Sequence, residues 1–507
     1  MKYGAVFIFV LLWACSTPQN QHPIPLEARS SAVTGIDFTN ALTDTPDWNI
    51  LEYLYYYNGG GVAIGDINND GLEDLFFTAN QQPNRLYLNL GGLQFKDISA
   101  QAGIANTNDW STGVSMEDID NDGDLDIFVA QLGKHRGTEA HNLLYLNDGT
   151  GKFTESSKAL GLDFSGYSTQ GAFLDYDKDG DLDLYLLNHA VHTVRSYGTT
   201  KNRNNPAPLT GDRLYENRLN EKEAKFVDVT AASGIYSSPL GYGLAVRVTD
   251  INNDGWPDIY VGNDFHENDF IYINNKDNTF TESIADYMAH TSRFTMGVDV
   301  ADLNNDAQLD LFSTDMMPYD PTILLKSGGE DTDKVDRIKK DFGFHPQLAR
   351  NNFQLKKEDQ TYAEVALMTN TYASDWSWSV LLADFDNDLN NDIFISNGII
   401  KRPNDLDYIK YISTIKFADY EKSQQEQLRK EIVAEMPTLK LPNVLFKNKG
   451  AMQFSSVKEA ALGAPTFSNG AAYADLDNDG DLDLVTNNIN QEATLYENTT
   501  NSGGLTV

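Results

Sequence analysis

Seven times in this chain an aspartate opens a nine-residue run in which oxygen-bearing side chains recur at every second position. The first run reads Asp66-Ile67-Asn68-Asn69-Asp70-Gly71-Leu72-Glu73-Asp74. Position one is Asp66, Asp118, Asp175, Asp250, Asp302, Asp384 and Asp475, and position five is Asp70, Asp122, Asp179, Asp254, Asp306, Asp388 and Asp479. Position three is Asn68, Asp120, Asp177, Asn252, Asn304, Asp386 and Asp477. Position nine is Asp74, Asp126, Asp183, Asp258, Asp310, Asp392 and Asp483. With a backbone carbonyl from position seven (Leu72, Asp124, Asp181, Trp256, Gln308, Asn390, Asp481), such a run can wrap a hard cation in about six or seven oxygens. Calcium is the expected guest, in up to seven sites. Glycine at position six permits a left-handed turn, and it is present as Gly71, Gly123, Gly180, Gly255 and Gly480. Ala307 and Leu389 replace it, so the sites at Asp302 and Asp384 are expected to be weaker or differently shaped. An EF-hand would need glutamate at position twelve, where this chain has Phe77, Val129, Leu186, Val261, Ser313, Ile395 and Thr486. The competing reading is a set of solvated Asp/Asn/Gly turns.

Electrostatics favours the metal. The loops hold more than a third of the 74 Asp and Glu residues in a chain of formal charge −36. Like charges so crowded raise one another's pKa and push a loop open unless a counter-ion intervenes; seven divalent ions would offset more than a third of the net charge. The same acidity argues against a nucleic-acid partner. A single cysteine excludes an internal disulfide, leaving metal as the expected staple of a 507-residue chain whose 41% hydrophobic content supports a large core.

The elements that must position these loops follow from their flanks. Each loop runs into a β-rich segment, such as Leu75-Phe76-Phe77 or Ile127-Phe128-Val129. Further on comes a second marker: Leu86-Tyr87-Leu88-Asn89, Leu144-Tyr145-Leu146-Asn147, Leu214-Tyr215-Glu216-Asn217, Ile271-Tyr272-Ile273-Asn274, a divergent Phe353-Gln354-Leu355, Leu445-Phe446-Lys447-Asn448 and Leu495-Tyr496-Glu497-Asn498. A fourth segment follows in most copies, as in Phe95-Lys96-Asp97-Ile98. Four strands per repeat make one propeller blade. The expectation is an all-β, seven-bladed propeller with four-stranded blades spanning residues 35–500. The seventh repeat lacks its last strand, and Ile36-Asp37-Phe38-Thr39 is expected to supply it by pairing with Leu495-Tyr496-Glu497, closing the ring and removing the open edge.

Ahead of the ring, Lys2 and the apolar run Ala5 to Leu12 read as a signal-peptide core, too short for a permanent membrane span. The run ends at Leu12-Trp13-Ala14-Cys15-Ser16, which resembles a bacterial lipobox and implies that residues 1–15 form a lipoprotein-type signal in which Cys15 is lipidated and becomes the new first residue. Residues 16–34 read as a flexible tether and 501–507 as a tail. The expected location is the bacterial cell envelope, as an exported lipoprotein of the outer membrane or cell surface, held to the membrane through its N-terminal lipid.

Taken together, the seven loops and the strand markers resemble the FG-GAP, or VCBS-type, repeat family of calcium-binding propellers, whose architecture also forms the integrin α-chain head. The segments around Met316-Met317-Pro318-Tyr319-Asp320 and Arg402-Pro403-Asn404-Asp405 resemble a bacterial envelope branch of that family. Members of that branch often continue into a domain named ASPIC/UnbV; the chain stops at Val507, so that domain is expected to be absent.

The closest first aspartates are 52 residues apart, so longer intervals mark insertions, at about 189–211, 316–350 and 398–442. All three fall between second and third strands, hence on the face opposite the acidic hairpins, which makes that face the expected binding face. Residues 405–435 read as helical cover over the ring. Gln131, Asn188, Asn263, Asp315, Asn397 and Asn488 stand at the roots of these connections, with His189, His192, Arg195, His266 and Arg402 nearby. They could form a ring for a polar ligand, or cap strands and bond loop backbone. The resulting expectation is an extracytoplasmic binding or adhesion module for a polysaccharide or protein. The alternatives are a polysaccharide lyase or hydrolase using His189 or His192, and a structural spacer in an envelope complex; no nucleophile-elbow, P-loop or dinucleotide motif is present.

Overall fold

The computed structural model describes residues 24–105, 107–191, 198–220, 224–329, 331–457 and 462–500. The expected signal peptide, Cys15, His192, Arg195 and the 501–507 tail lie outside these residues. Seven four-stranded antiparallel sheets follow one another around a ring. The first blade runs Val62–Gly65, Asp74–Phe77, Arg85–Asn89, Phe95–Asp97, and the second Ser111–Glu117, Asp126–Gln131, Leu143–Asn147, Phe153–Glu155. Each later blade repeats this order, and the innermost strands pack neighbour to neighbour until the seventh, Ser468–Ala474, meets the first. The chain therefore forms a seven-bladed β-propeller.

The second strands explain the unbroken apolar runs. Every residue of Asp74–Phe77 and Asp126–Gln131 is buried. Alternate side chains enter opposite inter-blade cores: Leu75 and Phe77 pack with Leu476 and Val485 of the seventh blade, Phe76 with Ile127 and Val129 of the second. With both faces covered, the alternation of a half-exposed strand is lost.

Closure uses an N-terminal strand, displaced from the expected place. Leu26–Arg29 pairs antiparallel with Thr494–Asn498, placing Leu26 opposite Asn498 and Arg29 opposite Leu495. The segment expected as tether thus contains the closing strand from Leu26 onward. Ile36 and Phe38 instead pack into the core between the first and seventh blades. The reason lies in a short helix that follows most fourth strands and ends on a left-handed residue. Ser31–Thr34 with Gly35 (φ 77°) matches Ser99–Ala102 with Gly103 (φ 87°), so Ile36 corresponds to Ile104, one helix beyond the strand.

The three insertions emerge where expected, carrying the helices Pro321–Leu324, Asp333–Asp341, Leu406–Ser413 and Lys422–Ala434 and the 3-10 turn Thr200–Asn204. Tyr408, Leu428, Ile432 and Met436 from the last insertion join one apolar cluster with Trp110, Tyr167, Tyr242, Trp376 and Trp378 from around the ring. The largest contribution to that cluster was not anticipated: residues 42–57 fold over the same face and insert Trp48, Tyr53, Tyr55, Tyr56 and Tyr57. Tyr53 and Tyr55 end an axial cavity of about 260 Å³ lined by Val62, Val114, Gln170, Arg247 and Val298 of the inner strands.

Candidate metal centres and the insertion-bearing face

Each acidic loop is shaped by its own amides. The position-one carboxylate accepts the N–H of position six in all seven copies, from Gly71 N to Asp66 Oδ2 at 2.7 Å to Gly180 N to Asp175 Oδ2 at 3.3 Å. Position five accepts the N–H of position seven at 2.9–3.2 Å. Two residues per loop are left-handed. Position six has φ 82–97° where glycine and φ 63° and 70° at Ala307 and Leu389; position four, Asn in six copies and Lys178 in the third, has φ 55–61°. Asn tolerates that region better than most residues, a signal the sequence reading passed over. Ala307 and Leu389 therefore do not reshape their turns: Ala307 N and Leu389 N still reach Asp302 and Asp384 at 2.7 Å.

The position-nine aspartates are buried clamps. One oxygen accepts the N–H of position two at 2.8–3.3 Å. The other accepts the N–H of the residue that closes the third-strand marker, at 2.6–2.8 Å. That residue, Asn in six of the seven blades, links blades. Asn147 Nδ2 donates to Ile67 O of the preceding blade's loop, Asn274 to Tyr176 O and Asn498 to Phe385 O, at 2.7–2.8 Å. In the fifth blade Lys356 replaces Asn and its Nζ donates to Ile251 O; burial pulls this ammonium down to about 8. Every loop is thus tied to its own third strand and to the next blade.

Position three divides the loops into two kinds. Where it is Asn, the loop satisfies itself: Asn68, Asn252 and Asn304 donate to Asp70, Asp254 and Asp306 at 2.9–3.0 Å. Where it is Asp, carboxylate oxygens converge, with the Lys447 ammonium reaching Asp386 in the sixth loop. Asp118/Asp120/Asp122, Asp175/Asp177/Asp183, Asp384/Asp386/Asp392 and Asp475/Asp477/Asp483 each bring three carboxylate oxygens within 4.8 Å of one another. In these same loops Asp120 Oδ1, Asp175 Oδ1, Asp177 Oδ1, Asp386 Oδ1 and Asp477 Oδ1 are shielded from solvent with no hydrogen-bond partner. Orphaned buried carboxylate oxygens are costly, and a hard cation satisfies them. Burial first, then neighbouring aspartates, raises Asp183 to about 8 and Asp126 and Asp483 to about 7, against the pull of their backbone donors. The donor set, oxygen throughout, fits a hard divalent ion. The Asp384 loop is thus among the four that gather three carboxylate oxygens, while the Asp66, Asp250 and Asp302 loops carry Asn at position three.

On the opposite face, the polar residues expected to meet a ligand are interior. Gln131, Asn188, His189, Asn263, His266, Asp315, Asn397, Arg402 and Asn488 are all at most 6% exposed. They bond loop backbone and neighbouring side chains beneath the aromatic cap. Asn188 Nδ2 donates to Gly211 O at 2.9 Å, Asn397 Nδ2 to Ser374 O at 2.8 Å and Asn488 Nδ2 to Glu492 O at 2.7 Å. Arg402 pairs with the buried Asp375. His189 lies 2.9 Å from Tyr53 Oη through Nε2 and 3.0 Å from Ala190 O through Nδ1, and burial pushes it down to about 4. With both nitrogens engaged and no solvent access, it has no route to serve as base for an external substrate. The strand-capping reading of these residues is the one the geometry supports.

A partner set went unnoticed in the sequence: an Asn or Asp just before the third strand. Its side chain accepts the N–H at or just past the end of the second strand in six blades, from Asn84, Asn142, Asp212, Asp269, Asn351 and Asn443, at 2.8–3.0 Å.

This face also exposes large apolar and aromatic side chains among its charged ones. Tyr319 and Leu325 of the second insertion, and Leu406, Tyr411, Phe417 and Tyr420 of the third, are exposed, Leu325 by 80%.

A sequence model described as an FG-GAP-like repeat matches residues 45–129, 132–186, 211–313 and 438–486, more than half of the chain. Three relatives share the name cartilage acidic protein 1. The chain is 27% identical to that of Xenopus tropicalis over 209 residues, covering 41% of this chain and 29% of the relative. It is 32% identical to the human protein over 212 residues (41% and 28%) and 31% identical to the mouse protein over 137 residues (26% and 21%). The matches thus span less than a third of these relatives' lengths. A lectin of Agrocybe aegerita, specific for non-reducing terminal N-acetylglucosamine, overlays on 82% of this chain and 84% of its own at 12% identity with a TM-score of 0.42; so loose a superposition bears on neither ligand nor site. The repeated loops, the blades they join and the matched segments agree: the chain belongs to the FG-GAP-like repeat family.

Proposed function

We propose that this propeller is a calcium-dependent binding module of the cell envelope, exported and lipidated at Cys15, that presents its insertion-bearing face to an extracellular polysaccharide or protein. The observation that carries the metal half is the set of buried, unpartnered carboxylate oxygens in the loops with Asp at position three. The binding half is supported by the exposed Tyr319, Leu325, Tyr411, Phe417 and Tyr420 on the insertions, which bring large apolar side chains to solvent on one face. Calcium holds the loops, the loops hold the blades in register, and the ring holds the insertions in one arrangement.

The experiment is a glycan and peptide array probed with the full chain in calcium and in chelator. Binding that requires calcium and falls at least tenfold in a Tyr411→Ala/Phe417→Ala variant supports the reading. Silence on every array, or binding indifferent to both calcium and these substitutions, contradicts it. Incorporation of labelled palmitate that is abolished by Cys15→Ser tests the anchor.

A further inference from the structure

The residue just before the one that closes the third-strand marker lies beside its blade's own acidic loop in the third, sixth and seventh blades, and its charge differs between blades. It is aliphatic in four blades, as at Leu88, glutamate in two and Lys447 in the sixth. Glu216 and Glu497 stand beside Asp177 and Asp477, which burial first and then the neighbouring carboxylates, these glutamates among them, raise above the ordinary carboxylate range. Lys447 does the opposite. Its Nζ pairs with Asp386 and lies 3.7 Å from Asp388 Oδ2. The side chains of Lys447 and Asp386 are only 11% and 1% exposed, unlike the pair Lys276 and Asp254 in the fourth blade, where Lys276 is 44% exposed.

We propose that the Lys447 ammonium is the resident cation of the sixth loop, so that this loop closes without calcium. Asp386 and Asp388 hold positions three and five, which a metal would need. A calcium ion would have to break a buried ion pair and leave the Lys447 ammonium in need of a new partner. The chain supplies the ammonium covalently, so it fills the loop at any calcium concentration. The position in the ring gives this a consequence. Phe385 O, at position two of the sixth loop, is the acceptor for Asn498 Nδ2 at 2.7 Å, the latch of the blade completed by the N-terminal strand. The seam where the ring closes is therefore held on a loop that does not empty, while the other loops respond to metal.

The inference rests on the calcium reading for the remaining loops, and its test has one arm that does not. In chelator, Lys447→Leu, which installs the residue of the first blade, should lower the melting temperature of the full chain by several degrees, and Asp386→Asn in the same chain should recover most of that loss. In calcium, equilibrium dialysis should find one more bound ion in Lys447→Leu than in the unaltered protein. Should Lys447→Leu fold in chelator only when Asp386→Asn accompanies it, the coupling is likewise supported. An unchanged melting temperature in chelator overturns the proposal, as does an equal, non-zero number of bound ions in the two proteins. If neither protein binds calcium at all, the proposed function falls, and the chelator arm still decides the role of Lys447.

Discussion

Single residues in each acidic loop do separable work. Asp126 bonds Ile119 N at 3.1 Å and Asn147 N at 2.8 Å, so Asp126→Ala strands two buried donors. Urea unfolding should show a loss of about 2–4 kcal/mol with or without calcium. Asp120 has an orphaned oxygen among carboxylates; Asp120→Asn should destabilise in calcium and be neutral or stabilising in chelator. The residues on the other face give a pH dependence of definite sign. Burial raises Asp212, Asp264 and Asp269 to about 7 and Asp315 to about 6, against ~3.9 in the unfolded chain. A raised folded value contributes stability that is full below the unfolded value and lost as pH rises through the folded one. In chelator the melting temperature should therefore fall between pH 5 and pH 8. Four blades already place Asn where Asp212 and Asp269 stand. Asp212→Asn should accordingly be near neutral at pH 5 and stabilising by on the order of 2 kcal/mol at pH 8. The ligand positions were legible because alternation of oxygens is a sequence pattern. The fate of His189 or Asn188 was not, because nothing local announces that Tyr53 and Tyr55 fold over them.

At the scale of elements, the hairpin between first and second strands, the third-strand marker and the fourth strand could all be read, since each blade repeats the same turn chemistry and the same need to bury both faces of a strand. The closing strand could not be read from its own residues. Leu26-Glu27-Ala28-Arg29 lacks the aromatic that opens the fourth strand in other blades, whereas Phe38 imitates it. The decisive signal is the helix stop Ser31 to Gly35 followed by Ile36, which matches Ser99 to Gly103 followed by Ile104. The inter-blade latch makes a matching prediction. Asn274→Ala removes bonds to Tyr176 O at 2.8 Å and Pro257 O at 3.3 Å and leaves buried carbonyls unpaired. It should cost about 1–3 kcal/mol and raise amide exchange in both the third and fourth blades; exchange confined to the fourth blade would contradict a role between blades.

At the scale of the molecule, the candidate metal loops and the cap lie on opposite faces of one ring. The cap is an aromatic cluster, and four of the loops gather carboxylate oxygens that fit a hard cation. At millimolar affinity or a little better, as in extracellular modules, 10 mM calcium contributes about 1.4–2.7 kcal/mol per occupied loop. Several loops acting together would move the unfolding of a chain this size by on the order of 10 °C. Thermal unfolding of the full chain in excess calcium and in chelator tests this most directly. The account predicts a large fall in melting temperature and loss of protease resistance on chelation, both restored by added calcium. A metal-stripped protein as resistant to heat and protease as the loaded one would contradict it.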